Sequence, residues 1–313
     1  MLAVLEIIFP IYALIGLSFF LTRRGFFSAE DLRAFGKFMI TLGFPALMFT
    51  AIARRPLAET IQMSYMLPYA LGTLALMALL YPAFRRSFDH KTTTLATMGS
   101  TCPNSGFIGY PILLLAMPEI ADKVLAQNLV VENMIFLPLI FTLLELGNGG
   151  EGSRLQIAGR VFWRVLTGPL VLAMLAGVAV SASGLTLPGA LLRPLDMLAA
   201  ASGALALIVI GGNLALLKPK GVRALAGYIV AGKLLLHPLA IFVAVTLAAM
   251  TGLLPLDGEM RAALILTGAL PTFGMFPVVA QAHGREGFAS AAQFGTTLGA
   301  LFTLTALLLV LGG

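Results

Sequence analysis

Residues 100–114, STCPNSGFIGYPILL, place Pro103, Gly106, Gly109 and Pro111 inside an apolar run long enough to cross a bilayer. Proline removes a backbone donor and collides with the preceding turn, and glycine adds backbone freedom, so a helix should break here. The flanks, Thr92 to Met98 and Ile112 to Met117, extend the run to membrane length. Broken backbone at that depth persists only where protein or a water-filled cavity satisfies the freed N–H and C=O groups. The stretch therefore predicts a discontinuous membrane helix.

A second copy lies far downstream. In GALPTFGMFPVVAQ, residues 268–281, Pro271-Thr-Phe-Gly274 repeats the P-x-x-G of Pro103-Asn-Ser-Gly106, and Pro277 answers Pro111. Alone, either segment reads as an ordinary kink, since proline and glycine are common in membrane helices. Paired interruptions in corresponding positions of two halves point instead to a transporter's binding site.

The setting supports this. Hydrophobic residues make up 59% of 313 positions and charged ones 11%, the balance of a polytopic all-α membrane protein. Apolar windows predict ten spans, at about 2–22, 33–53, 62–84, 91–117, 123–147, 160–182, 192–217, 222–251, 261–283 and 287–311. Residues 2–21 resemble a signal peptide only superficially, because the run ends in Arg23-Arg24 without a small-residue cleavage site. The lone Cys102 excludes a disulfide within one chain and reads as packing beside the break. A net charge of +6 is spread over short loops, with no basic stripe and interleaved aromatics for nucleic acid.

Fourteen Lys and Arg residues, among them Arg164, Lys218, Lys220 and Arg285, fall in the loops after odd-numbered spans, and five after even-numbered ones. The positive-inside bias then puts both termini outside a cell membrane, the inner membrane in a Gram-negative cell. Five spans is an odd number, so two five-span halves of one fold must be inverted relative to each other. The expected division is 1–147 for the first repeat, 148–159 for a short cytoplasmic connector that begins Asn-Gly-Gly after Gly147, and 160–313 for the second repeat. Phe9-Pro10 and Gly168-Pro169 echo each other at a spacing close to that of the two breaks.

Few ionisable residues remain at depth. Glu132 sits roughly nine residues, ~14 Å, into span 5, where a carboxylate costs at least ~2.5 kcal/mol and marks a functional site by default. Asn133 is rotated about 100° around the helix and suits packing as well as function. Glu6 and Glu145 lie near span ends and fit snorkelling. Lys233 and His237 share a face of span 8, where the lysine could attract an anion, pair with Glu132 or snorkel to the cytoplasmic surface. His237-Pro238 suits a kink whose freed carbonyl bonds the imidazole. Asn104, Ser105 and the N-terminus of a half-helix near Gly106 offer donors to a carboxylate, and Thr272 with the Phe273-Gly274 backbone offers a less polar counterpart. Gln293, Thr296 and Thr297 in span 10 and Asn213 in span 7 complete the polar set.

These residues resemble the auxin efflux carrier family, which includes plant auxin carriers and bacterial malonate or malate permeases. Asn104 to Leu113, NSGFIGYPIL, is similar to that family's N-x-G-x-x-G-x-P crossover; Lys233-Leu-Leu-Leu-His-Pro238 resembles its span 8 pattern. Ala269-Leu-Pro-Thr272 with Thr296-Thr297 resembles its ninth and tenth spans. The resemblance implies ten helices in two inverted repeats, a scaffold and a transport domain, and helices 4 and 9 crossing at their prolines beside the substrate. It implies that Asn104 contacts substrate. Glu132 stands near a position that is glutamine in plant carriers, Met275-Phe276 replaces a commonly polar position, and the long central loop of many plant members is missing.

Taken together, these features predict a secondary transporter of a small organic anion, a carboxylate, working by elevator-like alternating access. Its expected substrate site comprises Pro103, Asn104, Ser105, Gly106, Pro271, Thr272, Gly274 and Lys233. Glu132, Asn133, Gln293 and Thr297 are the expected coupling site, for H+ or Na+, with no cofactor and no structural metal. The alternative is a sodium-coupled symporter of the bile-acid type, which would gather Glu132, Gln293 and Thr297 around a cation. An intramembrane enzyme lacks its H-E-x-x-H, G-x-S-x-G or paired aspartates, and a channel lacks filter carbonyls. The expected partners are the anion and the lipid bilayer, with a homodimer allowed and no nucleic acid.

Overall fold

A computed structural model describes residues 2–56, 61–147, 153–217, 223–252 and 254–311. Among these residues the chain is all-helical, without strands. In order it forms α1 (Leu2–Arg23), α2 (Ala29–Ala53), α3 (Met63–Arg85), α4 (His90–Thr101), α5 (Ser105–Ala116) and α6 (Ala121–Gly147). There follow α7 (Arg154–Leu166), α8 (Pro169–Ser183), α9 (Gly189–Leu216), α10 (Ala224–Met250), α11 (Gly258–Ala269), α12 (Phe276–Gln281) and α13 (Glu286–Leu311). Lys218, Lys220 and the Asn-Gly-Gly of the predicted connector lie outside the described residues.

Seven helices are long and apolar enough to cross a membrane, or eight if α7 and α8 count as one bent span. The predicted fourth and ninth windows fall short of that length because each is split, into α4 and α5 and into α11 and α12. The predicted window at 160–182 is not one continuous helix. It begins earlier, with Ser153 and Gln156 forming a reciprocal capping box, and bends by 67° between α7 and α8. Gly168-Pro169 starts the new helix there, since proline at its first position needs no N–H partner. Trp163 and Leu155 on α7 stay largely exposed, as do Phe9, Leu79 and Phe302 on the membrane-length helices, which suits lipid as the solvent.

Four helices contain a widened turn in which the N–H bonds the carbonyl five residues back: Met39–Gly43, Ser105–Gly109, Glu132–Phe136 and Gly232–Leu236. Each ends two residues before a proline: Pro45, Pro111, Pro138 and Pro238. A proline ring would strike the carbonyl four residues back, and the wider turn relieves that contact without ending the helix. The kink expected at His237 thus takes this form.

Apart from α7, which lies against α6, the helices sort into two packed groups. One comprises α1, α2, α8 and α9, with α1 lying along α9 and α8 along α2. Gly211 lets the first pair approach closely, because a Cβ there would run into the backbone of Ile15. The other group holds α3 to α6 and α10 to α13, with α3 along α10, where a Cβ on Gly72 would sit 2.9 Å from that of Ala244. Both breaks belong to this second group, and α5 faces the first across a cavity described below.

Candidate functional site

The two breaks meet. Pro103 and Thr272 form an antiparallel bridge, with the Asn104 amide donating to the Pro271 carbonyl (2.9 Å) and the Phe273 amide to the Cys102 carbonyl (2.9 Å). Two hydrogen bonds therefore satisfy backbone groups that each interrupted helix leaves unpaired. The Thr272 hydroxyl donates to the Gly99 carbonyl at the end of α4, and Gln293 donates to the Thr272 carbonyl (3.3 Å). Cys102 is buried and unoxidised, as a packing residue.

Asn104 caps α5. Its Oδ1 accepts from the Phe107 amide (3.3 Å), and the side chain is 1% exposed. Its Nδ2 has no partner, an orphaned donor in a buried position. Gly274 makes room for this amide, since a Cβ there would come within 3.2 Å of Nδ2. One residue on, the Ser105 hydroxyl donates to Glu132 Oε1 (2.5 Å), and Tyr69 on α3 donates to the same oxygen (2.8 Å). Glu132 thus lies at the N-terminal, positive end of α5, where a carboxylate is favoured. Gly106 packs under the Phe44 ring, itself edge-on to Phe107.

Pro103, Asn104, Ser105, Gly106, Glu132 and Asn133 line one cavity of about 260 Å³, to which α7 and α8 contribute Arg164 and Gly168-Pro169. Asn133 also bonds the Leu129 carbonyl (2.9 Å), so it serves its own helix. A second cavity, of about 310 Å³, lies on the other face of the crossover and is lined by Gly274, Gln293, Asn213 and Ser290. Gln293 Oε1 is buried there without a donor.

Lys233 points inward and is fully buried, so it does not snorkel. Its Nζ donates to the Gly268 carbonyl (2.7 Å) at the C-terminal end of α11 and to His237 Nδ1 (2.8 Å). Since Nδ1 accepts, Nε2 carries the proton and donates to the Thr73 hydroxyl (3.0 Å). His237 therefore bonds side chains instead of a freed carbonyl, because the widened turn keeps the backbone paired. Lys233 lines neither crossover cavity and makes no ion pair with Glu132. It complements the negative end of a helix, as Glu132 complements a positive one.

The expected coupling set is divided. Glu132 and Asn133 line the first cavity and Gln293 the second, while the Thr297 hydroxyl is spent on the Gln293 carbonyl of its own helix (2.9 Å). The expected second half-helix N-terminus is also weaker than the first, since α12 has only six residues and starts after Met275. Sequence reading missed Tyr69, and with it a buried cluster in which Tyr65 donates to Asn128 (2.8 Å) and Asn128 to Thr267 (3.0 Å). The signal was there: Tyr65 and Tyr69, Asn128 and Glu132, and Lys233 and His237 are each four residues apart on one helical face.

A family model described as "Membrane transport protein" matches residues 3–308. Over 305 residues the chain is 28% identical to a protein of Rhizobium meliloti (strain 1021) described as "Putative malonate transporter", covering 96% of this chain and 94% of the relative. It is 26% identical over 269 residues to the "Uncharacterized transporter YfdV" of Escherichia coli (strain K12), covering 84% of this chain and 82% of that one. The same figures hold for YfdV of Shigella flexneri.

Proposed function

Because the chain belongs to the membrane transport protein family, the auxin efflux carriers, and is a multi-pass membrane transporter, we propose that it carries a small organic carboxylate by secondary transport. The substrate site is the cavity at the first break. The observation that carries this reading is the buried Asn104 Nδ2, an unpartnered donor beside the N-terminus of α5 in a cavity large enough for a short acid. The name of the Rhizobium relative supports malonate as the first substrate to test.

Glu132 explains how such a site is coupled. Its carboxylate occupies the positive end of α5 through Ser105. An anion arriving within a few ångströms would be strongly repelled in a medium of low dielectric, so Glu132 has to be neutralised first. Protonation does this while preserving the hydrogen bonds around it, and couples one proton to each anion. The division of Glu132, Gln293 and Thr297 between different surroundings favours H+ over the sodium-coupled alternative.

The same reading takes all ten helical windows as crossings of two inverted repeats, with both termini outside. The group containing the crossover moves as an elevator against α1, α2, α8 and α9. Proteoliposome uptake of labelled malonate, with pH, sodium and voltage gradients imposed separately, tests the reading. Saturable uptake driven by a proton gradient is expected; absence of flux for malonate, malate and related acids under every gradient overturns it.

A further inference from the structure

We propose that Arg164 reads the second negative charge of a dicarboxylate whose first carboxylate sits at Asn104 and Ser105. The inference rests on the carboxylate reading above and adds a specificity-determining residue to it. Arg164 lies in the last turn of α7 and lines the same cavity as Asn104, Ser105 and Glu132. The 67° bend at Gly168-Pro169 brings it there, since both residues of the bend line that cavity too.

Among the described residues Arg164 takes part in no ion pair and no side-chain hydrogen bond. Arg164 is exposed at the cavity wall, and its guanidinium carries a planar fork that matches a carboxylate bidentately. Lys233, the other cation considered for this role, is fixed on Gly268 and His237 outside the cavity. Phe107, Leu137 and Phe141 add apolar wall to the same cavity. Donors and apolar side chains in one small cavity suit a short dicarboxylate, whose methylenes need no polar partner. A monocarboxylate would satisfy Asn104 and leave Arg164 unused.

Calorimetric titration of the purified full chain with malonate and with monomethyl malonate, at pH 7, separates these ligands by one charge. The wild type should bind malonate at least roughly tenfold more tightly, the size expected of a charge-assisted pair. Arg164→Gln should weaken malonate by about ten- to a hundredfold and leave the monoester within about threefold, abolishing the preference. Arg164→Lys, which keeps the charge without the fork, should fall between and carries the test if the glutamine variant does not purify intact. Equal loss of both ligands in either variant, or malonate binding unchanged in Arg164→Gln, overturns the assignment. A wild type that binds both ligands equally overturns the role of Arg164 alone, whereas one that binds neither overturns the carboxylate reading along with it.

Discussion

The two breaks share a backbone plan and differ in chemistry. At the first, Asn104 caps a distal helix of twelve residues, Ser105–Ala116, and Ser105 ties its start to Glu132. At the second, the distal helix has six residues and begins with Met275 and Phe276, while the proximal helix α11 ends on a lysine ammonium. Each break thus holds one buried ionisable group against the helix end of opposite sign, an acid at an N-terminus and a base at a C-terminus. The orphaned Asn104 donor and the acid lie together in one cavity, whereas the base lines neither crossover cavity. On the proposed function, then, the first break recognises ligand and the second supports it.

The largest effect should come from the supporting break. Lys233→Met removes the donor to Gly268 and strands the His237–Thr73 pair, and hydrogen bonds to a charged group are worth about 1.5–3 kcal/mol each. Thermal unfolding in detergent should show a clear loss of stability, with transport lost as a consequence. Unchanged stability would remove the structural role given to this base.

Glu132→Gln acts on the recognising break and should do the reverse. The amide oxygen still accepts from Ser105 and Tyr69, so the fold should persist, but uptake should lose its dependence on a proton gradient. Retained proton coupling in a folded variant would exclude Glu132 as the coupling acid. Gly274→Ala joins the two breaks, since its Cβ would crowd Asn104 Nδ2; it should raise the KM for malonate several-fold with a smaller change in kcat. Smallest of all, Thr297→Val deletes a hydroxyl that bonds only its own helix, and should change uptake by less than about twofold and stability by under ~0.5 kcal/mol. A large loss of sodium-driven uptake in that variant would restore the sodium reading.

The breaks were legible because proline and glycine act locally, and their pairing because the same P-x-x-G stands in both. The bend at Gly168-Pro169 was half legible: the Ser153-Arg-Leu-Gln156 capping pattern marks an earlier helix start than the apolar window suggested. Likewise, four prolines mark the widened turns, yet Pro10, Pro68, Pro82 and Pro194 sit within helices without producing them. What separates the two sets is not written in the prolines themselves. The same holds for Tyr69 and Arg164. One is an ordinary aromatic in an apolar helix and the other one of fourteen basic residues beside odd-numbered spans, until tertiary structure bonds Tyr69 to Glu132 and sets Arg164 in the wall of the cavity that Glu132 lines.

The most direct test of the division between the breaks is the thermal shift that malonate induces in wild type and in Asn104→Ala. A ligand bound to the folded state raises its stability by RT ln(1 + [L]/Kd), so a shift reports binding without requiring transport. Loss of the N-cap should lower the variant's own stability by about 1 kcal/mol. The account predicts that malonate raises the unfolding temperature of the wild type and leaves that of Asn104→Ala unmoved. An equal rise in both would place the anion somewhere other than the first break.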